Sequence, residues 1–537
     1  MRRFFVIILC LGLLCGCSES APEISSITPR IGRMGDVITI HGAGFGKERS
    51  ESYITIAGTP PTSSSYISWS DGEIQVRFPE FGEAGLVYVH MGTKKSNPAI
   101  FTNELTLPKL IEDPDAGNNP RISQIDPASG AIGSLITIRG NNFGSSREKS
   151  GVFFSWDAEY SLSDPSGQDS FIGAFEDEFC YELWSEREIR VRVPDGAISG
   201  NLEVRTSRGN SRPVYFEITG RPGTKIYKDK RSYVISYSSD IQIGQAFFPN
   251  ALYIWMPQPA ISSSQQNVRL VSRNREPLAE NYRGTSLFQF ISLLSGTVLE
   301  TTLSYEVEVY GVETSMRTMT PVRLNRPSQV GTVYVLPSTF IPSDDSAIRS
   351  QAAAIIGREQ LPYAKAQRIY DWLISGMDIE NADHSGGVHE ALEEKKTDSY
   401  GASLLFCSLA RAAGVPALPV AGILINDQQI AAWHYWAEFW LDGFGWVPLD
   451  PALGGGAAPE GFTLRGDHER YYFGNLDSRR IAFSRGERFL YQMTPRGRIT
   501  ARDRYYSLQN LWEEAVGSLE SYSSLWSNVT IVDMQVH

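Results

Sequence analysis

The stretch 397–450 reads TDSYGASLLFCSLARAAGVPALPVAGILINDQQIAAWHYWAEFWLDGFGWVPLD and gathers hydroxyl, thiol, imidazole and carboxylate groups. Covalent acyl transfer needs a nucleophile, a base that reaches it and a carboxylate that fixes the base's tautomer. Ser399 follows Thr397-Asp398 at the start of a predicted helix. A hydroxyl there ordinarily serves as an N-cap, and the helix dipole favours negative charge at that end. His434 lies among aromatic residues, an ordinary setting for a core histidine, and Asp450 precedes Pro451, where a turn would start. Cys407 is eight residues beyond Ser399, which places it about 12 Å along the helix axis and about 80° around it. Its neighbours Leu404, Leu405, Phe406 and Leu409 are those of a core cysteine. His384 and His389 have an H-x4-H spacing around Gly386-Gly387, but no Cys or further His completes a zinc set, so no metal is expected. There is no phosphate-cradling glycine loop, and no cofactor is expected.

The order of three further signals is more specific. Gly414-Val415-Pro416 forms a turn after the helix, His434, Trp436 and Glu438 alternate on a strand, and Gly445, Trp446 and Asp450 follow on the next. This pattern resembles the transglutaminase-like family, relatives of the papain-type cysteine proteases. The resemblance implies an α+β core in which the nucleophile's position falls on Ser399, with His434 as base and Asp450 as the orienting carboxylate. Trp436, Glu438 and Trp446 are implied as binding or scaffold residues.

The family carries a cysteine where this chain has Ser399. A paired cysteine has a pKa of ~3.5–7.5 and forms a thiolate before substrate arrives. A serine hydroxyl requires general-base help in the transition state itself, and the shorter C–O bond withdraws the attacking atom, where a small misplacement costs ~10²-fold. The expected function is therefore a non-catalytic binding or scaffolding module whose cleft takes a peptide, protein or cell-envelope polymer. The alternative is an acyl-transfer enzyme that hydrolyses or crosslinks amides through a Ser399-His434-Asp450 triad.

Residues 1–16 read as a leader, with Arg2-Arg3, an apolar run from Phe4 to Leu14 and small residues after it. LLCGC (Leu13 to Cys17) resembles a bacterial lipobox, which implies acylation of Cys17 and anchoring to a membrane, the outer membrane being favoured by Ser18-Glu19. Each buried methylene of such chains adds ~0.8 kcal/mol. Removing Arg2 and Arg3 with the leader leaves 47 basic residues against 61 acidic ones. That balance argues against nucleic acid as a partner. Cys17, Cys180 and Cys407 then remain, in different predicted domains, so no disulfide framework is indicated.

An internal repeat aligns ITPRIGRMGDVITIHGAGFG (27–46) with IDPASGAIGSLITIRGNNFG (125–144), half of the positions being identical at an offset of 98. WSDGEIQVRFP (69–79) returns as WSEREIRVRVP (184–194) at an offset of 115, so the second copy carries 17 extra residues within 145–183. Alternation of apolar and polar residues between Gly and Pro predicts half-buried strands, with Phe45 and Phe143 as core plugs and the glycine pairs 32/35 and 130/133 at turns needing positive φ. The I-x-x-I-x-P-x-x-G-x-x-G opening resembles the immunoglobulin-like IPT/TIG domain. The polar linker predicts that the two copies fold without the rest of the chain.

The fold class expected is thus multidomain: IPT/TIG β-sandwiches at 22–103 and 121–219 joined by a linker at 104–120, a third β-sandwich at 225–338, the α+β transglutaminase-like core at 345–488 and a C-terminal segment at 489–537. In the third sandwich Tyr233, Ile235 and Tyr237 are assigned to one face, Leu303, Tyr305, Val307 and Val309 to another, and Val333 to Pro337 to a closing strand. Helices are expected from Asp345, from Pro362 and from Ser399, and a closing amphipathic helix over 507–526.

Overall fold

The computed structural model describes residues 21–33, 35–78, 85–103, 118–158, 170–175, 178–318, 322–381, 386–502 and 504–537. The leader, Cys17, most of the linker, much of the 145–183 insertion and His384 lie outside them. The chain divides into two compact units, one of residues 1–110 with 491–497, the other of residues 111–490 with 498–537.

In the smaller unit the period-2 runs form a sandwich. One sheet has the order Glu23–Thr28, Val37–Ala43, Glu73–Arg77, Tyr66–Trp69, and the other Ile31–Gly32, Ala99–Asn103, Gly85–Met91, Tyr53–Ile56. Ile38, Ile40, Phe45, Ile74 and Val76 alternate inward and are buried. Of the two repeat glycine pairs, only Gly35 and Gly133 have positive φ (85° and 86°). Gly32 and Gly130 serve instead for close approach, since a Cβ there would lie 3.1 Å from Phe101 and from Ser134 respectively.

The second copy repeats the first sheet as Arg121–Asp126, Leu135–Asn141, Glu188–Arg192, Tyr181–Trp184. Its other sheet gains the strand Phe171–Gly173 from the insertion. This sandwich does not stand apart from the transglutaminase-like core. It belongs to the larger unit, and its buried residues share one apolar cluster with Trp436, Trp440 and Trp446 of the core.

A 35-residue strand, Gly223–Pro257, organises the third sheet. Its first part pairs with Val298–Met316 and its last with Thr285–Ile291. Tyr233, Ile235 and Tyr237 pair with Val307, Tyr305 and Leu303, so the two sets share a single buried face. The predicted closing helix over 507–526 is a strand, Glu513–Trp526, which with Thr530–Val536 pairs with the long strand. The edge of that strand offers a row of N–H and C=O groups that must be paired, and Gly517 at φ 65° would interrupt a helix. Residues 513–526 and 530–536 thus extend the third sheet. The expected strand Val333 to Pro337 is also absent. A short helix, Gln329–Val333, forms because the Ser328 side chain accepts the Gly331 N–H.

Helices start close to the expected residues. Asp345 caps Ser346–Ile356 through the Ala347 and Ile348 N–H groups, and Pro362 opens Pro362–Gly376. The helix Ser399–Ala412 is buried from Tyr400 to Arg411, which is what an apolar surface on every side requires. It packs on an antiparallel sheet ordered Gly445–Leu449, Ala431–Leu441, Ala417–Ile425, Arg480–Arg485. Odd residues of Ala431–Leu441 (Tyr435, Ala437, Phe439) join the helix cluster, and even ones (Trp436, Trp440) face the second IPT/TIG sandwich.

Candidate active site

Asp398, not Ser399, caps the central helix. Its carboxylate accepts the Gly401 N–H at 2.9 Å and the Arg504 guanidinium. Ser399 is therefore the first helical residue, half-buried, and its hydroxyl is not used for capping. The strand Ala431–Leu441 runs beyond its pairing with Gly445–Leu449, which begins at Ala437–Leu449. At this open edge the Tyr435 N–H donates to Ser399 Oγ at 3.4 Å. Ser399 thus lies beside the backbone that carries His434. Among the described residues no hydrogen bond joins Ser399 to His434.

His434 Nε2 lies 2.9 Å from Asp450 Oδ2, both side chains being buried. Asp450 caps the short helix Pro451–Gly454 through the Leu453 N–H at 3.0 Å, which fixes its carboxylate as the strand ends. Burial pushes its pKa up, but the His434 and Arg480 charges outweigh this and hold it below the usual carboxylate value. An ionised carboxylate only accepts, so Nε2 carries the proton and a neutral His434 has its lone pair on Nδ1.

Arg480 was not legible as a site residue. It donates to Asp450 at 3.0 Å and to Asp477 at 3.1 Å, and its guanidinium sits 5.0 Å from the Trp436 ring. Burial works against its charge, yet Asp477 and Asp450 together keep it firmly protonated. Arg504 and Tyr505 were missed as well. Arg504 holds the helix cap, while the Tyr505 C=O and N–H both bond to the Tyr435 hydroxyl, at 2.6 and 3.0 Å. No local spacing marks them, because they reach the site from beyond residue 500.

Trp436, Glu438 and Trp446 are not gathered around Ser399. They line a cavity of about 40 Å³ together with Asp195, Lys225 and Arg485, a cavity lined by neither Ser399 nor His434. Glu438 accepts two bonds from Arg485 (3.1 and 2.7 Å), and Arg485 also donates to Glu178 of the second sandwich at 2.6 Å. Lys225 donates to the Trp446 carbonyl at 2.6 Å and pairs with Asp195. These side chains form the seam between sandwich and core. Cys407 is fully buried and free, and burial pushes its thiol far above the usual range. Among the described residues no cluster of His, Cys, Asp and Glu is arranged for a metal, and no helix is long and apolar enough to cross a membrane.

Comparison with known proteins places these parts. Residues 349–451 match the model of the transglutaminase-like superfamily, and residues 22–107 and 120–160 that of the IPT/TIG domain. The chain carries IPT/TIG domains followed by a transglutaminase-like core. An uncharacterized protein of Haemophilus influenzae is 32% identical over 137 residues, covering 20% of this chain and 36% of the relative. A cyclomaltodextrin glucanotransferase of Paenibacillus macerans is 31% identical over 86 residues, 16% of this chain and 12% of that enzyme. The chain thus spans well under half the length of these relatives. Among solved structures, a protein of Cytophaga hutchinsonii provisionally described as a cysteine protease aligns at 14% identity, with a TM-score of 0.38, over 58% of this chain and 93% of that one. The periplasmic domain of TgpA from Pseudomonas aeruginosa aligns at 15% identity, with a TM-score of 0.24, over 44% and 94%.

Proposed function

We propose that this chain is an exported, lipid-anchored envelope protein whose transglutaminase-like core binds or scaffolds a peptide, protein or envelope polymer without turning over amides. The observation that carries this reading is the environment of Ser399. Its Oγ accepts the Tyr435 N–H and, among the described residues, makes no hydrogen bond to His434. A hydroxyl is a weak nucleophile unless a base takes its proton during attack. The anchor rests on Leu13 to Cys17. Mass spectrometry of the membrane fraction is expected to find an acylated Cys17, and an unmodified Cys17 in a soluble fraction would remove it.

A second reading, acyl transfer through Ser399, His434 and Asp450, is favoured by the buried His434–Asp450 bond, which leaves Nδ1 as an available base. One series separates the two. The wild type is expected to lack any amidase or transamidase activity sensitive to Ser399→Ala. Ser399→Cys is expected to create a thiol that alkylates well below the free-cysteine pKa of ~8.5, and adding His434→Ala should return it towards that value. Amidase activity lost in Ser399→Ala would establish the second reading. A Ser399→Cys thiol indifferent to His434 would dissolve the triad altogether.

A further inference from the structure

We propose that the larger unit holds a binding site for a neutral saccharide, in a cavity of about 290 Å³ formed where the second sandwich, the third sandwich and the core meet. The volume is at the lower end of small-molecule sites, ~300–1,000 Å³. Phe179, Tyr334, Trp446 and Phe489 supply aromatic walls. The Phe179 and Tyr334 rings are 6.1 Å apart and the Tyr334 and Trp446 rings 5.3 Å apart. Phe489 and Ile261 line the cavity while being 47% and 49% exposed, so its mouth opens at the surface. Phe179 adopts a left-handed backbone (φ 53°), a conformation that bulky residues avoid unless their surroundings impose it.

The polar part of the lining comes from Glu178, Glu487, Arg283, Arg485 and Arg488. The charges then choose the ligand class. An anion would meet Glu178 and Glu487, and a cation would meet Arg283, Arg485 and Arg488. A neutral ligand with hydroxyl groups and C–H faces suits mixed donors and acceptors between aromatic walls. A sugar ring has both. Neither Ser399 nor His434 lines this cavity, so the site is independent of the acyl-transfer question.

The test is calorimetric titration of the full chain with chitotetraose, cellotetraose and maltotetraose at millimolar concentrations. At least one is expected to bind, and Phe489→Ala and Glu487→Gln are each expected to weaken it at least tenfold without changing the melting temperature. Ser399→Ala should leave the affinity unchanged. No binding by any of the three, binding unmoved by both cavity variants, or tighter binding of an uncharged tetrapeptide at this cavity would overturn the proposal.

Discussion

The two IPT/TIG sandwiches share their internal geometry and differ in what surrounds it. In the first, Trp69 donates to the Phe45 carbonyl and Tyr66 accepts the Ile54 N–H; in the second, Trp184 donates to Phe143 and Tyr181 accepts the Val152 N–H. The repeat that was visible in sequence is this shared interior. The tip opposite the tryptophan is where the copies part. Arg33 and Asp36 of the first copy become Ala131 and Ser134 in the second, and Ala131 and Ile132 are buried. The Ile132 carbonyl accepts the Gly443 N–H at 3.1 Å. The second copy thus meets the core through its few different tip residues and through Glu178 of its insertion.

The largest expected effect arises from that difference. Residues 21–103 expressed alone should fold, with β-sheet circular dichroism and a cooperative melt, because their apolar cluster is closed within the copy. Residues 118–222 alone should fail to melt cooperatively or should aggregate. Their cluster lacks Trp436, Trp440 and Trp446, and Glu178 and Asp195 lose Arg485 and Lys225. A cooperative melt from the second fragment would show that the seam is an accessory contact.

The next comparison uses one arginine in its two copies. Arg77 is exposed and, among the described residues, donates to the Gly35 carbonyl at 3.4 Å. Arg192 keeps the corresponding bond to Gly133, at 3.0 Å, and is buried against Glu182 and the Arg326 and Pro327 carbonyls, at 3.4 and 3.0 Å. Arg192→Met should destabilise the larger unit by ~3 kcal/mol, since it strands buried acceptors and a carboxylate. Arg77→Met should stay within ~0.5 kcal/mol. Chemical denaturation of the full chain, followed by tryptophan emission and by hydrogen exchange resolved to each unit, distinguishes the two. Equal effects would mean that Arg192 does not tie the second sandwich to the segment of Arg326 and Pro327.

What could be read from sequence was set by local rules. Alternation exposed the sandwiches, Asp345 and Pro362 marked their helices, and the G-V-P turn with the His434 and Asp450 strands located the core. The cap at Ser399 was misread by one residue because Ser and Asp are equally good N-caps, and only the Gly401 and Arg504 contacts decide between them. The segment 507–526 fits a helical period, but the unpaired edge of a strand some 270 residues earlier overrides it. Trp436 and Glu438 alternate with His434 and Trp446 stands on the next strand, so the resemblance implied them as binding or scaffold residues. Their true neighbours, Arg485, Lys225 and Glu178, come from remote segments that no spacing announces.

The smallest expected effect is the most selective test of the seam. Gly35 and Gly133 occupy equivalent positions with φ of 85° and 86°, so an alanine meets the same left-handed strain at both, roughly 1–3 kcal/mol. Their surroundings differ. A Cβ on Gly35 would meet no atom of the described residues within 4 Å, whereas one on Gly133 would lie 3.0 Å from Trp440 and 3.2 Å from Leu324. The first distance is tight against a large ring buried in the core, which has little room to move. Gly133→Ala should therefore cost ~1 kcal/mol more than Gly35→Ala, as modest overpacking does. The backbone contribution cancels in the difference between the two variants, leaving the contact between sandwich and core. Scanning calorimetry of both full-length variants, with the melt of each unit assigned by the isolated 21–103 fragment, measures that difference. Equal losses would mean that Trp440 yields at no cost and that the second sandwich rests on the core more loosely than its buried tip implies.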